Sequence, residues 1–145
     1  MSDVSLTGGC LCGAVRFRYA GPLGGPVGAV TVCHCAQCRK AQGYAAAVAP
    51  AVAAGFQITA GTSDIREFQS SPGKFRAFCG GCGSPLYSRL AASPERLRLR
   101  LGGLDDPPDT LTSTPTPSPT ASRSGPFPAR PRHAIPAANR GEVRR

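Results

Sequence analysis

Seven cysteines in three tight groups constrain this 145-residue chain more than any other feature. The groups are Cys10-Leu11-Cys12, Cys33-His34-Cys35-Ala36-Gln37-Cys38 and Cys79-Gly80-Gly81-Cys82. Closely spaced thiols on tight turns supply ligands at little loop-ordering cost, and a tetrahedral zinc ion takes four. The groups with two cysteines each complete one such set, Cys10, Cys12, Cys79 and Cys82, which staples the start of the domain to a late hairpin. Apparent zinc-binding energies of roughly 10–16 kcal/mol in small metal-dependent domains rival the roughly 5–15 kcal/mol stability of a whole domain, so this ion is expected to be structural. Gly80, Gly81 and Gly83 are expected to give the late turn its backbone freedom.

Cys33, Cys35 and Cys38 remain, one short of a closed set. Three protein ligands with an exchangeable fourth is the pattern of catalytic zinc. His34 stands between two of them, but alternation along an extended segment turns its ring away, so a polar contact nearby is expected rather than ligation. Other uses of these residues stay open: a second structural zinc completed by His34 or a remote group, an iron–sulfur cluster, or redox and disulfide chemistry. The N-terminus lacks a basic start and an apolar run, and no stretch of about 18 apolar residues occurs. The chain is therefore read as cytoplasmic without membrane contact, in a compartment that disfavours disulfides.

Metal staples matter because the core is thin. There is no Trp, the aromatic residues are six Phe and three Tyr, and much of the apolar content is Ala. Period-two alternation marks residues 13–20, where Val15, Phe17 and Tyr19 interleave with Arg16 and Arg18. A Gly/Pro turn over 21–26 leads to a second strand over 27–32, and 36–42 is expected to form a short helical turn. Further strands are expected at 44–48, 56–59, 65–69, 75–78, 86–89 and 96–101. In the last of these the leucines share one face and the arginines the other, as a half-buried strand requires. Short strands with frequent turns predict a mainly β, antiparallel fold rather than βαβ units.

Composition changes near Pro107. Nine of the fifteen prolines lie in residues 107–145, without apolar periodicity, so a zinc-binding β domain over 1–106 and a disordered tail over 107–145 are expected. Residues 1–106 carry eleven basic and six acidic side chains and residues 107–145 six and two, so nearly half of the +9 charge belongs to the tail. Seven thiolates holding two zinc ions lower that total to about +6. The excess suits an anionic small molecule as well as a nucleic acid, and no aromatic-basic interleaving supports the latter.

Four segments carry a family resemblance: Gly8-Gly9-Cys10-Leu11-Cys12-Gly13-Ala14-Val15-Arg16, Cys33-His34-Cys35-Ala36-Gln37-Cys38-Arg39-Lys40, Phe78-Cys79-Gly80-Gly81-Cys82-Gly83-Ser84-Pro85-Leu86-Tyr87 and Gly102-Gly103-Leu104-Asp105-Asp106-Pro107. In this order they strongly resemble the glutathione-dependent formaldehyde-activating enzyme family, which also includes centromere protein V. The resemblance implies a β-tent fold with two zinc sites divided as above. It also implies carbon–sulfur lyase-type chemistry joining formaldehyde to glutathione as S-hydroxymethylglutathione. Either the glutathione sulfur enters the open position at Cys33, Cys35 and Cys38, or the ion polarises the aldehyde oxygen. Arg39 and Lys40 directly follow that site and are the candidates for holding a substrate carboxylate, with Arg76 ranked after them. Family members ordinarily continue with a His-containing strand and an aromatic Pro-Trp element, and neither stands here. An exposed edge strand and an incomplete active-site wall are therefore expected. The alternatives to an enzyme are a non-catalytic zinc module for a macromolecular partner and a folded but inactive remnant.

Overall fold

Strand pairing among the described residues is antiparallel throughout. The computed structural model describes residues 4–23, 30–44 and 46–107. Strands β1 (Val4–Gly9) and β2 (Arg16–Gly21) form a hairpin, and β5 (Phe56–Ala60) joins the far side of β2 to complete a three-stranded sheet. Six more strands, β3 (Thr31–Cys33), β4 (Ala46–Val52), β6 (Ile65–Ser71), β7 (Lys74–Cys79), β8 (Pro85–Leu90) and β9 (Ser93–Arg100), form a second sheet. Their order is β3-β4-β9-β8-β7-β6. Helix α1 (Ala36–Gln42) lies between β3 and β4 in the chain and has the bounds expected from the sequence. The mainly β, antiparallel architecture is the one the alternating runs predict.

The sheets meet through the faces that alternation selects. Phe17 and Tyr19 of β2 are buried, as are Leu97 and Leu99 of β9. Phe56 of β5 bridges the layers, its ring centroid 5.1 Å from both Phe17 and Tyr87. Opposite these large residues the six-stranded sheet offers Ala49, Ala51 and Ala77, all buried. These three alanines are thus the small side of an interdigitated core.

Two departures from the sequence reading have physical causes. Strand β1 was not expected, because Val4-Ser5-Leu6-Thr7-Gly8-Gly9 is short of β-formers. Its glycines are there for close approach: a Cβ on Gly8 would stand 2.3 Å from Gly103 O and 2.5 Å from Phe17 Cζ. Strand β9 lies between β4 and β8, and β3 and β6 are the edges of the six-stranded sheet. The chain then turns so that Leu104 bridges to Gly8 and Asp105 N–H donates to Thr7 O at 2.9 Å, with Asp105 also paired to Arg16. Finally, Arg100, placed by alternation on the solvated face, is only 5% exposed. Of the strand expected over 27–32, residues 27–29 lie outside the described residues, as do residues 108–145 of the expected tail. Among the described residues no helix is long and apolar enough to cross a membrane.

Gly8→Ala tests the close approach at β1. The added methyl meets backbone on one side and a buried ring on the other, so a loss of about 1–3 kcal/mol or more is expected in thermal or denaturant unfolding.

Candidate metal centres

The two cysteine pairs that the chain separates by some seventy residues meet at one end of the sheets. Cys10 and Cys12 sit in the turn between β1 and β2, Cys79 and Cys82 in the turn between β7 and β8, and their four sulfurs all lie within 4.8 Å of one another. Cys10 Sγ is 3.4 Å from Cys12 Sγ, which is 3.8 Å from Cys79 Sγ. Sulfurs around a tetrahedral ion with metal–sulfur bonds near 2.3 Å stand about 3.8 Å apart, so the quartet fits a metal ion. Gly13 and Gly83, one residue beyond each pair, both have φ +77°, the left-handed backbone that lets each turn fold back. Among the glycines of the late turn only Gly83 requires this, not Gly80 or Gly81.

Hydrogen bonds join the two turns. Ser84 Oγ accepts from Leu11 N–H at 2.9 Å and donates to Cys82 Sγ at 3.2 Å, while Val15 N–H donates to Cys10 Sγ at 3.2 Å. The thiols titrate unequally as a result. Burial pushes Cys79 up to about 12. At Cys82 burial works the same way, but the Ser84 hydroxyl and the N–H groups of Ser84 and Cys12 outweigh it and hold the thiol at about 6. One sulfur is thus ready to bind as thiolate, whereas the buried Cys79 thiol needs a cation to ionise.

The second group is built on one short stretch. Cys33 ends β3, Cys35 caps α1 with its Sγ accepting from Cys38 N–H at 3.4 Å, and Cys38 lies within the helix, packed on Val48. Their sulfurs also lie within 4.8 Å of one another. Cys38 is buried, Cys33 half-buried and Cys35 exposed, so this group opens to solvent on one side. The Cys38 N–H, followed by the neighbouring thiols and the Gln37 N–H, brings Cys35 down to about 7. Both groups are placed to hold metal ions. His34 lies outside the cluster, and in place of the expected polar contact its ring stands edge-on to Tyr44 with centroids 6.3 Å apart.

The basic residues at the open group come mostly from other strands. Arg39 and Lys40 are exposed on the last turn of α1. Arg76 of β7 reaches the cluster, its two terminal nitrogens 3.8 and 3.7 Å from Cys38 Sγ, and its Nε donates to Ser70 Oγ at 2.9 Å. Arg100 was missed in the sequence and lies beside Arg76. Burial, then Arg76 and Arg98, lower its pKa to about 10 while Cys38 and Cys33 oppose the shift. With the Gln42 amide turned to satisfy its surroundings, its oxygen accepts from Arg100 Nε at 2.7 Å. A cavity of about 400 Å³ runs from Ala41 and Gln42 of α1, past Arg76 and Arg100, to Gly83 and Pro85 beside Cys82.

The family model described as glutathione-dependent formaldehyde-activating enzyme matches residues 5–118. A crystal structure of a Rhodobacter sphaeroides protein shares the fold, with a TM-score of 0.60 and 23% identity, covering 72% of this chain and 93% of that one. No curated protein matches the chain.

The two groups are expected to respond differently to loss of one sulfur. Cys79→Ser is expected to abolish the cooperative melting transition, since it opens the quartet inside the core. Cys35→Ser is expected to keep a folded, melting protein with about one metal ion fewer per chain. Calorimetry with elemental analysis reads both, and an unchanged melt for Cys79→Ser would remove the structural role.

Proposed function

The chain belongs to the glutathione-dependent formaldehyde-activating enzyme family, and on that premise we propose that it is a zinc enzyme of carbon–sulfur lyase type. Its substrate on this reading is the adduct of glutathione with formaldehyde, S-hydroxymethylglutathione, or a related thiol–aldehyde adduct. The observation that supports it is the unequal division of sulfur: four converge in the core, three converge where one of them is exposed. We assign zinc to both groups because every donor is a cysteine sulfur on a Cys-x-Cys or Cys-x-x-Cys turn, a set that suits tetrahedral zinc. Cys10, Cys12, Cys79 and Cys82 hold the structural ion, and Cys33, Cys35 and Cys38 hold the catalytic one.

Zinc at the open group supplies a Lewis acid and a positive charge that favours thiolate over thiol. The chain's own residues supply position. Cys38 is fixed against Val48 and under Arg76, while exposed Cys35 leaves the solvent side accessible. Arg39 and Lys40 stand on the exposed face of α1, and we assign them to first contact with a substrate carboxylate. The cavity beside Arg76 has Phe78 and Tyr87 in its wall and offers an apolar side to the substrate. In the addition direction a sulfur–carbon bond forms as the carbonyl π bond opens, and the thiol proton ends on the new hydroxyl. The lyase direction reverses these changes, and neither direction needs an oxidant. All seven cysteines are free, as a reducing compartment keeps them, and we place the protein in the cytoplasm.

Cobalt substitution distinguishes this enzyme from a non-catalytic zinc module. Protein loaded with two cobalt ions is expected to change its visible spectrum on addition of glutathione, through the open group only. Cys35→Ser should abolish that change and lower kcat/KM for S-hydroxymethylglutathione formation by more than about 100-fold, beyond the cost of an outer-shell partner. A fully loaded spectrum indifferent to glutathione assigns the chain to the binding-module class instead.

A further inference from the structure

The outer face of the six-stranded sheet is unusually cationic next to the open cysteine group. Register places Arg76 of β7 opposite Ser88 of β8, and Ser88 opposite Arg98 of β9. Lys74 and Arg100 lie two residues along β7 and β9 and therefore share that face. Like charges arrayed across neighbouring strands are destabilising unless something negative lies among them. The ion pairs among the described residues are Arg16–Asp105, Arg89–Glu67 and Arg96–Glu95, and none involves these four cations. Three thiolates and a divalent ion contribute only one net negative charge beside Arg76, which leaves an excess of about three positive charges.

A second observation points into the same place. Ser88 is 1% exposed, and its Oγ has no hydrogen-bond partner. A buried hydroxyl without a partner is costly, and each one calls for an explanation. Ser88 lines a cavity of about 400 Å³ together with Lys74, Arg98, Pro50 and Thr31. This cavity adjoins the one beside Arg76, since Arg76 and Arg100 line the latter and their neighbours Ser88, Lys74 and Arg98 line the former. Burial and then Arg98, Arg100 and Arg76 lower the pKa of Lys74, which shows how closely the cations crowd.

We propose that Lys74, Arg76, Arg98 and Arg100, arrayed around Ser88, form the subsite that holds the carboxylates of the thiol substrate and selects a peptide thiol over a small neutral one. This rests on the reading that the thiol sulfur enters at Cys33, Cys35 and Cys38. Arg76 stands between the sulfurs and the rest of the subsite: a two-residue step of about 6–7 Å along β7 leads to Lys74, and Arg98 lies two strands across, about 10 Å away on the far side of Ser88. A tripeptide reaches about 10 Å when extended, which matches a sulfur at the cysteines and a carboxylate at Ser88. Guanidinium groups in a partly buried cleft favour carboxylate, and the Ser88 hydroxyl supplies a further donor. The cleft suits a small anion better than the phosphate track of a nucleic acid.

S-methylglutathione tests the subsite without the metal, because its sulfur is capped while both carboxylates remain. Calorimetry on the zinc-loaded protein is expected to show binding that weakens about tenfold or more in Lys74→Gln and in Arg98→Gln, with metal content and melting temperature unchanged. Glutathione diethyl ester, which lacks both carboxylates, should bind wild type and variants alike, and 2-mercaptoethanol should perturb the cobalt spectrum equally in all of them. Lys74→Arg should retain the wild-type affinity. Failure of S-methylglutathione to bind, or equal affinity in wild type and the Gln variants, overturns the subsite. A cobalt spectrum that ignores every thiol, with S-methylglutathione binding intact, overturns only the open metal site.

Discussion

Four sulfurs held within 4.8 Å of one another are the constraint on which the remaining structure depends. They join the hairpin turn of the small sheet to a hairpin turn of the large one, across 67 residues between Cys12 and Cys79. The apolar contact between the layers is modest, because alanines face a few aromatic rings. Without a cation, the buried thiol of Cys79 resists ionisation and hydrogen bonds alone align the turns, among them Leu11–Ser84–Cys82 and Cys12 N–H to Cys82 Sγ. A metal ion converts four weakly compatible groups into one rigid junction, and closing a loop this long is where such a junction adds most.

The second group uses the same local device, a backbone N–H aimed at sulfur, and differs in topology. Cys33, Cys35 and Cys38 span six consecutive residues from the end of β3 into α1, so binding there closes almost no loop. A metal at that position adds little to the fold and is free to exchange a ligand without unravelling it. Exposure follows the same division: Cys10 and Cys79 are buried in the main hydrophobic cluster, whereas Cys35 faces solvent.

How much of this was legible in the sequence depended on whether the signal was local. The spacing of the cysteines gave both sulfur groupings, and alternation gave most strands and the bounds of α1, because turns and periodicity are properties of neighbouring residues. β1 escaped because its glycines reflect contacts with Gly103 and Phe17, remote in sequence. Arg39 and Lys40 were favoured over Arg76 for the same reason, since adjacency to Cys38 along the chain was visible and adjacency across strands was not. The alternating Arg96-Leu97-Arg98-Leu99-Arg100 and Lys74-Phe75-Arg76 runs held the missing signal. Only the register of β7 and β9 on either side of β8 turns those runs into one cationic face.

Strand β7 ties the two centres together mechanically. Cys79 at its end belongs to the core quartet, and Arg76, three residues earlier and therefore on the opposite face, touches Cys38 of the open group. The strand departs from regular pairing between Ala77 and Phe78, at the point where the chain passes from one role to the other. Six residues thus carry a structural sulfur inward and a guanidinium outward, and the position of one fixes the position of the other. A metal ion in the quartet would act on the other group at a distance: by holding the end of β7, it would set where the positive charge beside Cys38 stands.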